Sequence, residues 1–387
     1  MTPNSRPVTP SRVKSKTTAM VFSFLVVLTM ILAACGSSTQ NNQASSKHIL
    51  TIATQSYDFA QSGFNPYNGH PNAGVLGLVY ETLYFVNVNG GAFTPMLATN
   101  YSWNSDNTQL TFTIRQGVKW NDGQPFTAND VAFTFNEMKQ YPAADTNGVW
   151  SYLSSVTAPD ANTVLMTFQK AYPPELVTIA GHVYIIPQHV FATVGDPTKY
   201  ATDHPVGTGP FTLTKYLASL AVYDKNASYW QADKVKVDEV QYPEYKDNST
   251  LQLALPKGTI DWAGYFSPTL QTDFVNKDPK LNHLFMDAIN LYSICVNQKD
   301  PVVGGTAGLP VRLALSAALD RTQIAQQATA GLEPPGSVTG LVLPTAQNWL
   351  APQYANLPET ANTAAAEKYL TDAGWIMGSN GYFQKNG

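Results

Sequence analysis

Ile114-Arg115-Gln116-Gly117-Val118-Lys119-Trp120-Asn121-Asp122-Gly123-Gln124-Pro125-Phe126-Thr127-Ala128-Asn129-Asp130-Val131 is the stretch from which the rest of the chain is best read. It opens on the end of an alternating run, Leu110, Phe112 and Ile114, whose side chains fall on one face of a strand. Asn121-Asp122-Gly123 follows as a turn, because Gly enters the left-handed region without a Cβ clash. Thr127 with Asp130 three residues on forms a capping box, in which each residue satisfies a backbone N–H of the other at a helix start. The helix so begun carries Val131, Phe135 and Met138 at i, i+4 and i+7, and it must stop before Pro142, which has no N–H to donate. Just upstream, Tyr101 to Ile114 reads as a hairpin with Asp106-Asn107 at its turn, where Asn107 tolerates positive φ. Just downstream, Val156 to Phe168 supplies another strand pair, turning at Pro159-Asp160-Ala161-Asn162, with Val164, Met166 and Phe168 alternating.

Further out the signals thin but keep an order. His48 to Thr54 reads as a first strand, followed by the turn-rich Gly63-Phe64-Asn65-Pro66-Tyr67-Asn68-Gly69-His70-Pro71 and an apolar, helix-like run from Val75 to Phe85. A loop between a first strand and a first helix is a natural place for ligand contacts. On the other side, Pro205-Val206-Gly207-Thr208-Gly209-Pro210-Phe211 has two glycines but no Lys-Ser or Lys-Thr pair and no helix after it, so it reads as a tight crossover and not as a phosphate loop. Phe211 to Tyr223 alternates as strands, Asp224 to Trp230 reads as a turn, and strand signals recur at Val235 to Tyr245 and His283 to Asn297. Thr250 to Leu255 looks helical and ends at Pro256-Lys257-Gly258-Thr259. Beyond a Pro301 to Pro310 linker, Val311, Leu315, Ala318 and Leu319 share a helix face, Asp320-Arg321 opens a second turn of structure, and Ala364 to Ala373 forms a helix stopped by Gly374 at C′.

The first residues form a separate organ. Arg6, Arg12, Lys14 and Lys16 make a positive n-region, and Ala19 to Leu32, 14 residues, is an apolar h-region too short to span a bilayer comfortably. It closes on Leu32-Ala33-Ala34-Cys35-Gly36, which looks like a bacterial lipobox: residues 1–34 are then a lipoprotein signal peptide and Cys35 the lipidated first mature residue. Residues 35–47 carry only small and polar side chains after the cysteine and read as a flexible tether. Removing the four n-region cations turns the formal net charge of −4 into −8, which disfavours nucleic acid and anionic lipid surfaces as partners. With Cys35 lipidated, Cys295 has no partner within the chain; its apolar context, Leu291 to Val296, reads as a buried, inert thiol.

Taken together these segments resemble the family 5 extracellular solute-binding proteins, the dipeptide, oligopeptide and nickel-binding type, from about Thr51 to Gly387. The Ile114 to Val131 stretch is similar to the family signature. Further matches keep the family's order: Val79-Tyr80-Glu81-Thr82-Leu83, Pro205 to Phe211, Tyr229-Trp230, Gly258-Thr259-Ile260-Asp261-Trp262, Val311-Arg312 with Leu319-Asp320-Arg321, and Leu370-Thr371-Asp372-Ala373-Gly374-Trp375. The resemblance implies an α/β, two-lobed periplasmic-binding-protein-like clamp of type II with an extra β-rich subdomain. Residues 48–92 and 205–298 would form lobe I, 93–204 an inserted subdomain of lobe I, and 303–387 a partial lobe II. The second lobe is expected to be incomplete, because members of the family continue well past the Ala-Gly-Trp element, and the solute is left open among peptides, oligosaccharides and metal chelates. The implied role is the extracytoplasmic receptor of an ABC importer, held at the outer face of the membrane by lipid at Cys35. It would capture a small-molecule or peptide ligand between lobes, deliver it to permease subunits, and act as a monomer without a cofactor.

For ligand contact the residues named are Phe64, Asn65, Tyr67, Asn68 and His70 in the first loop, Tyr292 and Asn297 beside the lobe crossover, and Trp262 with Tyr265-Phe266 as a stacking platform. Catalysis has little support: the six His form no H-x-x-x-H or H-x-H pair, Pro187 separates His182 from His189, and no G-x-S-x-G elbow is present. Carboxylates such as Glu239 and Glu244 read as solvated. Two other classes stay open at this point, a ligand sensor for a membrane receptor and a secreted hydrolase with a paired acid and base in the cleft.

Overall fold

The computed structural model describes residues 47–385 apart from 55–62, 88–91, 265–266, 286–291, 343–345 and 348–349. Residues 1–34, expected as a signal peptide, Cys35, most of the segment 36–47 expected as a tether, and Tyr265-Phe266 lie outside the described residues. The chain divides after Lys47, and the strands and helices named below belong to the unit His48–Gly387.

In chain order the strands are β1 (Ile49–Thr54), β2 (Tyr84–Asn87), β3 (Ala92–Pro95), β4 (Ala98–Trp103), β5 (Gln109–Ile114), β6 (Leu153–Asp160), β7 (Thr163–Phe168), β8 (Phe211–Leu217), β9 (Leu220–Lys225), β10 (Glu239–Pro243) and β11 (Trp262–Gly264). The main helices are α1 (Ala128–Gln140), α2 (Leu176–Gly181), α3 (Asn248–Ala254), α4 (Leu309–Ala318), α5 (Arg321–Thr329) and α6 (Thr363–Asp372). Among the described residues two larger sheets form, one in the order β11-β1-β10-β9-β8 and one in the order β4-β5-β7-β6.

The second sheet is the part most directly dictated by local sequence. Its strands pair antiparallel, β4 with β5 and β6 with β7 through hairpins, and Asn107 sits in the left-handed region at φ 58°, as the β4–β5 turn requires. β7 alternates between buried and half-buried positions, so Val164, Met166 and Phe168 line the same core as Leu110, Phe112 and Ile114. Helix α1 lays Val131, Phe135 and Met138 on that face. Its start is the expected box: the Thr127 N–H donates to the Asp130 carboxylate at 2.9 Å, and the Asn129 N–H donates to Thr127 Oγ1 at 3.3 Å. Each large buried apolar side chain is worth about 1.5–3 kcal/mol, against about 1 kcal/mol for a cap. Packing therefore holds α1 in place, and the cap decides where it begins.

The first sheet is mixed. β1 runs parallel to both β10 and β11, pairing Ile49 with Glu239 and Ile52 with Trp262, while β8-β9-β10 are antiparallel. Phe211, Leu213, Ala221, Tyr223 and Val240 face a core that also takes Phe64, Val75, Val79 and Tyr80. A smaller core on Ala53 is closed by Leu251, Ala254, Leu255 and Ile260 around α3 and the 3-10 turn Leu255–Lys257 that follows it, which Gly258 caps at φ 68°. At the far end of the chain α6 finishes on a Schellman pattern: the Gly374 N–H donates to Thr371 O at 2.9 Å and the Trp375 N–H to Leu370 O at 3.0 Å, with Gly374 at φ 82°.

Several sequence expectations change. Val75 to Phe85 is not a helix: one irregular turn at Val75–Val79 is broken by Leu76 (ψ 118°) and Gly77 (φ 91°), Tyr80 is extended, and β2 begins at Tyr84. The physical reason is that the run passes from one core to another. Val75, Val79 and Tyr80 belong to the first core and Leu83 and Tyr84 to the second, so the apolar positions do not describe one helix face. The strand expected over Val235 to Tyr245 shortens to Glu239–Pro243, and the described residues of His283 to Asn297 form no strand. Cys295 is exposed, not buried, because the segment that carries it lies on no sheet. Glu239 is buried, not solvated; its carboxylate accepts from Gln241 Nε2 at 2.5 Å. In α4 it is Ala314 that is buried, while Leu315 is half exposed.

Candidate functional site

In sheets with parallel strands, ligands sit beyond the carboxyl ends of the strands, where loops diverge. Downstream of β1 in the chain, residues 63–72 form a closed loop. The Asn72 N–H donates to Gly63 O at 3.1 Å and the Asn68 N–H to Asn65 O at 3.2 Å. Side-chain acceptors tighten it: the Tyr67 N–H donates to Asn65 Oδ1 at 3.0 Å and the His70 N–H to Asn68 Oδ1 at 3.1 Å. Gly74 lies just beyond at φ 83°, where a Cβ would stand 2.8 Å from the Tyr223 ring, so both conformation and space demand glycine.

The residues named from sequence separate into two groups. Phe64, Asn65 and Tyr67 turn inward. Phe64 is buried edge-on to Tyr216 at 4.9 Å. Asn65, fully buried, donates from Nδ2 to Pro197 O at 2.5 Å and Tyr200 O at 3.0 Å, tying the loop to a segment more than a hundred residues away. Tyr67 donates its hydroxyl to Tyr184 O at 3.0 Å, and burial pushes its phenol well above the usual tyrosine range. Asn68 and His70 occupy the outer side of the loop, half exposed and exposed. Trp262 lies on β11, the strand next to β1, and is 49% exposed. Tyr292 is fully exposed, and Asn297 Oδ1 accepts from the Lys299 N–H at 3.0 Å in a local turn. Thus Phe64 and Tyr67 of the loop pack on the core of the first sheet and Trp262 lies on its edge strand β11, whereas Tyr292 and Asn297 stand on a segment outside it.

A second cluster has no counterpart among those residues. Glu81, 3% exposed, accepts from the Tyr229 hydroxyl at 2.8 Å on Oε1 and from the Trp230 indole N–H at 3.4 Å on Oε2. Arg115, at the end of β5, places its guanidinium carbon 3.9 Å over the Trp230 ring and donates from Nε to Met96 O at 2.6 Å. Desolvation raises the Glu81 carboxyl to about 7, with the Tyr229 and Trp230 donors and the Arg115 charge opposing the shift. The crossover runs alongside: the Gly209 N–H donates to Val79 O at 2.8 Å and the Asn121 N–H to Gly207 O at 2.9 Å. A Cβ on Gly207 would overlap the Val79 carbonyl, and one on Gly209 the Leu78 carbonyl. The signal for this cluster was present in the sequence as a lone carboxylate within the apolar Val75 to Phe85 run, with Tyr229-Trp230 much later in the chain.

His189 Nε2 lies 2.7 Å from Asp122 Oδ2 at the surface. Among the described residues no group of three His, Cys, Asp or Glu side chains is placed to hold a metal ion, and no helix is long and apolar enough to cross a membrane.

Residues 92–386 match the family model described as bacterial extracellular solute-binding proteins, family 5 Middle. The oligopeptide-binding protein OppA of Bacillus subtilis is 26% identical over 341 residues, 81% of this chain and 62% of OppA. Two solved structures share the fold. NikZ from Campylobacter jejuni, in complex with Ni(L-His), superposes with a TM-score of 0.70 at 23% identity over 88% of this chain and 66% of that one. The mannohexaose-bound periplasmic oligopeptide-binding protein of an oligopeptide ABC transporter from Thermotoga maritima does so with a TM-score of 0.68 at 23% identity over 88% and 65%. The chain thus spans less than two thirds of the length of each of these relatives, and its fold is the α/β fold of these binding proteins.

Proposed function

Because the chain belongs to the bacterial extracellular solute-binding proteins of family 5, we propose that it is the solute-binding receptor of an ABC importer. It captures a small polar solute between lobes and presents the closed, liganded form to permease subunits. The observation that carries this reading is the family match over residues 92–386, which takes in the second sheet, the crossover and the helices after Pro301. The protein binds its ligand without chemical conversion. A peptide is the first choice of ligand, as the name of its oligopeptide-binding relative suggests; nickel–histidine and mannohexaose in the two solved relatives set the alternatives to be screened.

In this reading residues 48–92 and 205–298 form lobe I around the insert 93–204, and 303–387 contribute to lobe II. Phe64, Asn65 and Tyr67 frame the ligand loop; Asn68 and His70 present its polar edge; Trp262 offers a ring face to apolar parts of the solute. Tyr292 and Asn297 contribute from the lobe crossover. The mature chain is a monomer anchored outside the cell membrane by lipid on Cys35, with residues 36–47 as tether.

The test is a thermal-shift and calorimetric screen of residues 36–387 against di- to pentapeptides, oligosaccharides and nickel–histidine. A saturable rise in melting temperature for one class, diminished in His70→Ala and Trp262→Ala, is the expected result. Turnover of any of these compounds would overturn the binding-protein reading, and binding undisturbed in both variants would move the site elsewhere.

A further inference from the structure

The junction around Glu81 has more chemistry than a structural joint needs. Three separate stretches meet there: the Glu81 approach to β2, the Tyr229-Trp230 turn after β9, and Arg115 at the end of β5. Backbone bonds cross the same place, since the Ile185 N–H donates to Glu81 O at 3.0 Å and the Gly209 N–H to Val79 O at 2.8 Å. A glutamine could accept from only one of the Tyr229 and Trp230 donors, so a carboxyl is what satisfies both, and a carboxyl buried at this place makes the junction answer to protons.

We propose that Glu81 is a proton-operated latch: protonated, it holds the β4–β7 sheet and its neighbours firmly against the first sheet, and its ionisation loosens that junction. The groups that face it fit the role. Tyr229, on the turn, has its phenol pushed far up by burial and by Glu81 itself, so it stays a donor. The Tyr84 phenol, on the adjoining strand β2, is raised by burial as well. Arg115 supplies a cation that partly favours the ionised form. Trp230 and Thr208 are polar and do not titrate. Glu81 is therefore the group in the cluster whose charge changes near neutrality, with its carboxyl raised to about 7 by desolvation.

The sign comes from linkage. A carboxyl whose folded value lies above its unfolded value binds protons more tightly in the closed junction, so closure is favoured at low pH. That advantage is lost as pH rises from the ordinary carboxylate range to about 7. For values of 4.5 open and about 7 closed, the opening equilibrium rises about tenfold between about pH 6 and pH 8.

The experiment is hydrogen–deuterium exchange on the full chain between those two pH values, after correction for the intrinsic rate. It follows the amides of Ile185, Gly209 and Asn121, with Trp375 at the end of α6 as a remote control. Wild type should show the tenfold rise at the three junction amides and none at Trp375, and Glu81→Gln should be flat. Should Glu81→Gln not fold, Tyr229→Phe decides: with a donor removed, the rise should move to higher pH. Equal pH dependence in wild type and Glu81→Gln, or an unmoved midpoint in Tyr229→Phe, would overturn the latch.

Discussion

Replacing Asn65 by alanine should cost about 2–4 kcal/mol of stability, a figure that rests on the three hydrogen bonds of a fully buried amide. The side chain is the only part removed, yet it leaves the carbonyls of Pro197 and Tyr200 and the N–H of Tyr67 without their partner. Each such bond is worth about 0.5–1.5 kcal/mol net, and an orphaned buried group costs more than the bond it lost, about 1–3 kcal/mol. Asn65→Asp is the sharper probe. Its shape is unchanged and it still accepts from Tyr67, but it turns an acceptor toward two carbonyls and buries a charge, so it should be worse than alanine. Urea unfolding followed by tryptophan fluorescence reads both. With a slope of about 3 kcal/mol per molar for a chain of this size, alanine should move the midpoint down by about 1 M. A midpoint within about 0.3 M of wild type for alanine, or an aspartate variant as stable as the alanine one, would refute the assignment of Asn65 to the frame of the loop. A loss of ligand affinity with stability intact would instead make Asn65 a direct contact.

Gly209→Ala should destabilise by about 3 kcal/mol or more, because the new methyl overlaps the Leu78 carbonyl and displaces the Gly209–Val79 hydrogen bond; calorimetry showing an unchanged melting temperature would contradict the close crossover. Thr127→Ala should cost about 1 kcal/mol by chemical denaturation and fray the first turn of α1, whereas Thr127→Ser, which keeps the acceptor, should be close to neutral. Cys295 should react with a thiol reagent in the native state as fast as a free thiol does; reaction only after unfolding would place it in the core after all.

The elements legible in the sequence were those whose causes lie within a few residues. The Asn107 turn, the Thr127–Asp130 box, the Val131, Phe135, Met138 stripe and the Gly374 stop each involve neighbours in the chain. A one-dimensional pattern therefore contains all the information they need. Spacing also placed β1, the β6–β7 pair and the β8–β9 pair, because alternation over six residues gathers the apolar side chains on one face of a strand but scatters them around a helix. Where periodicity failed, more than one environment was acting on one run: Val75 to Phe85 is apolar along its length because it threads two cores, and no local rule distinguishes that from a helix.

The functional residues divide along the same line. By itself the sequence determined the family and which loop follows the first strand. Only the tertiary structure decided that Asn65 is turned toward Pro197 and Tyr200, that Cys295 is exposed, and that Glu81 is enclosed by Tyr229, Trp230 and Arg115. The reason is physical: burial, and the raised protonation range that it causes, depend on residues more than a hundred positions away along the chain, which come within hydrogen-bonding distance only when the sheets pack.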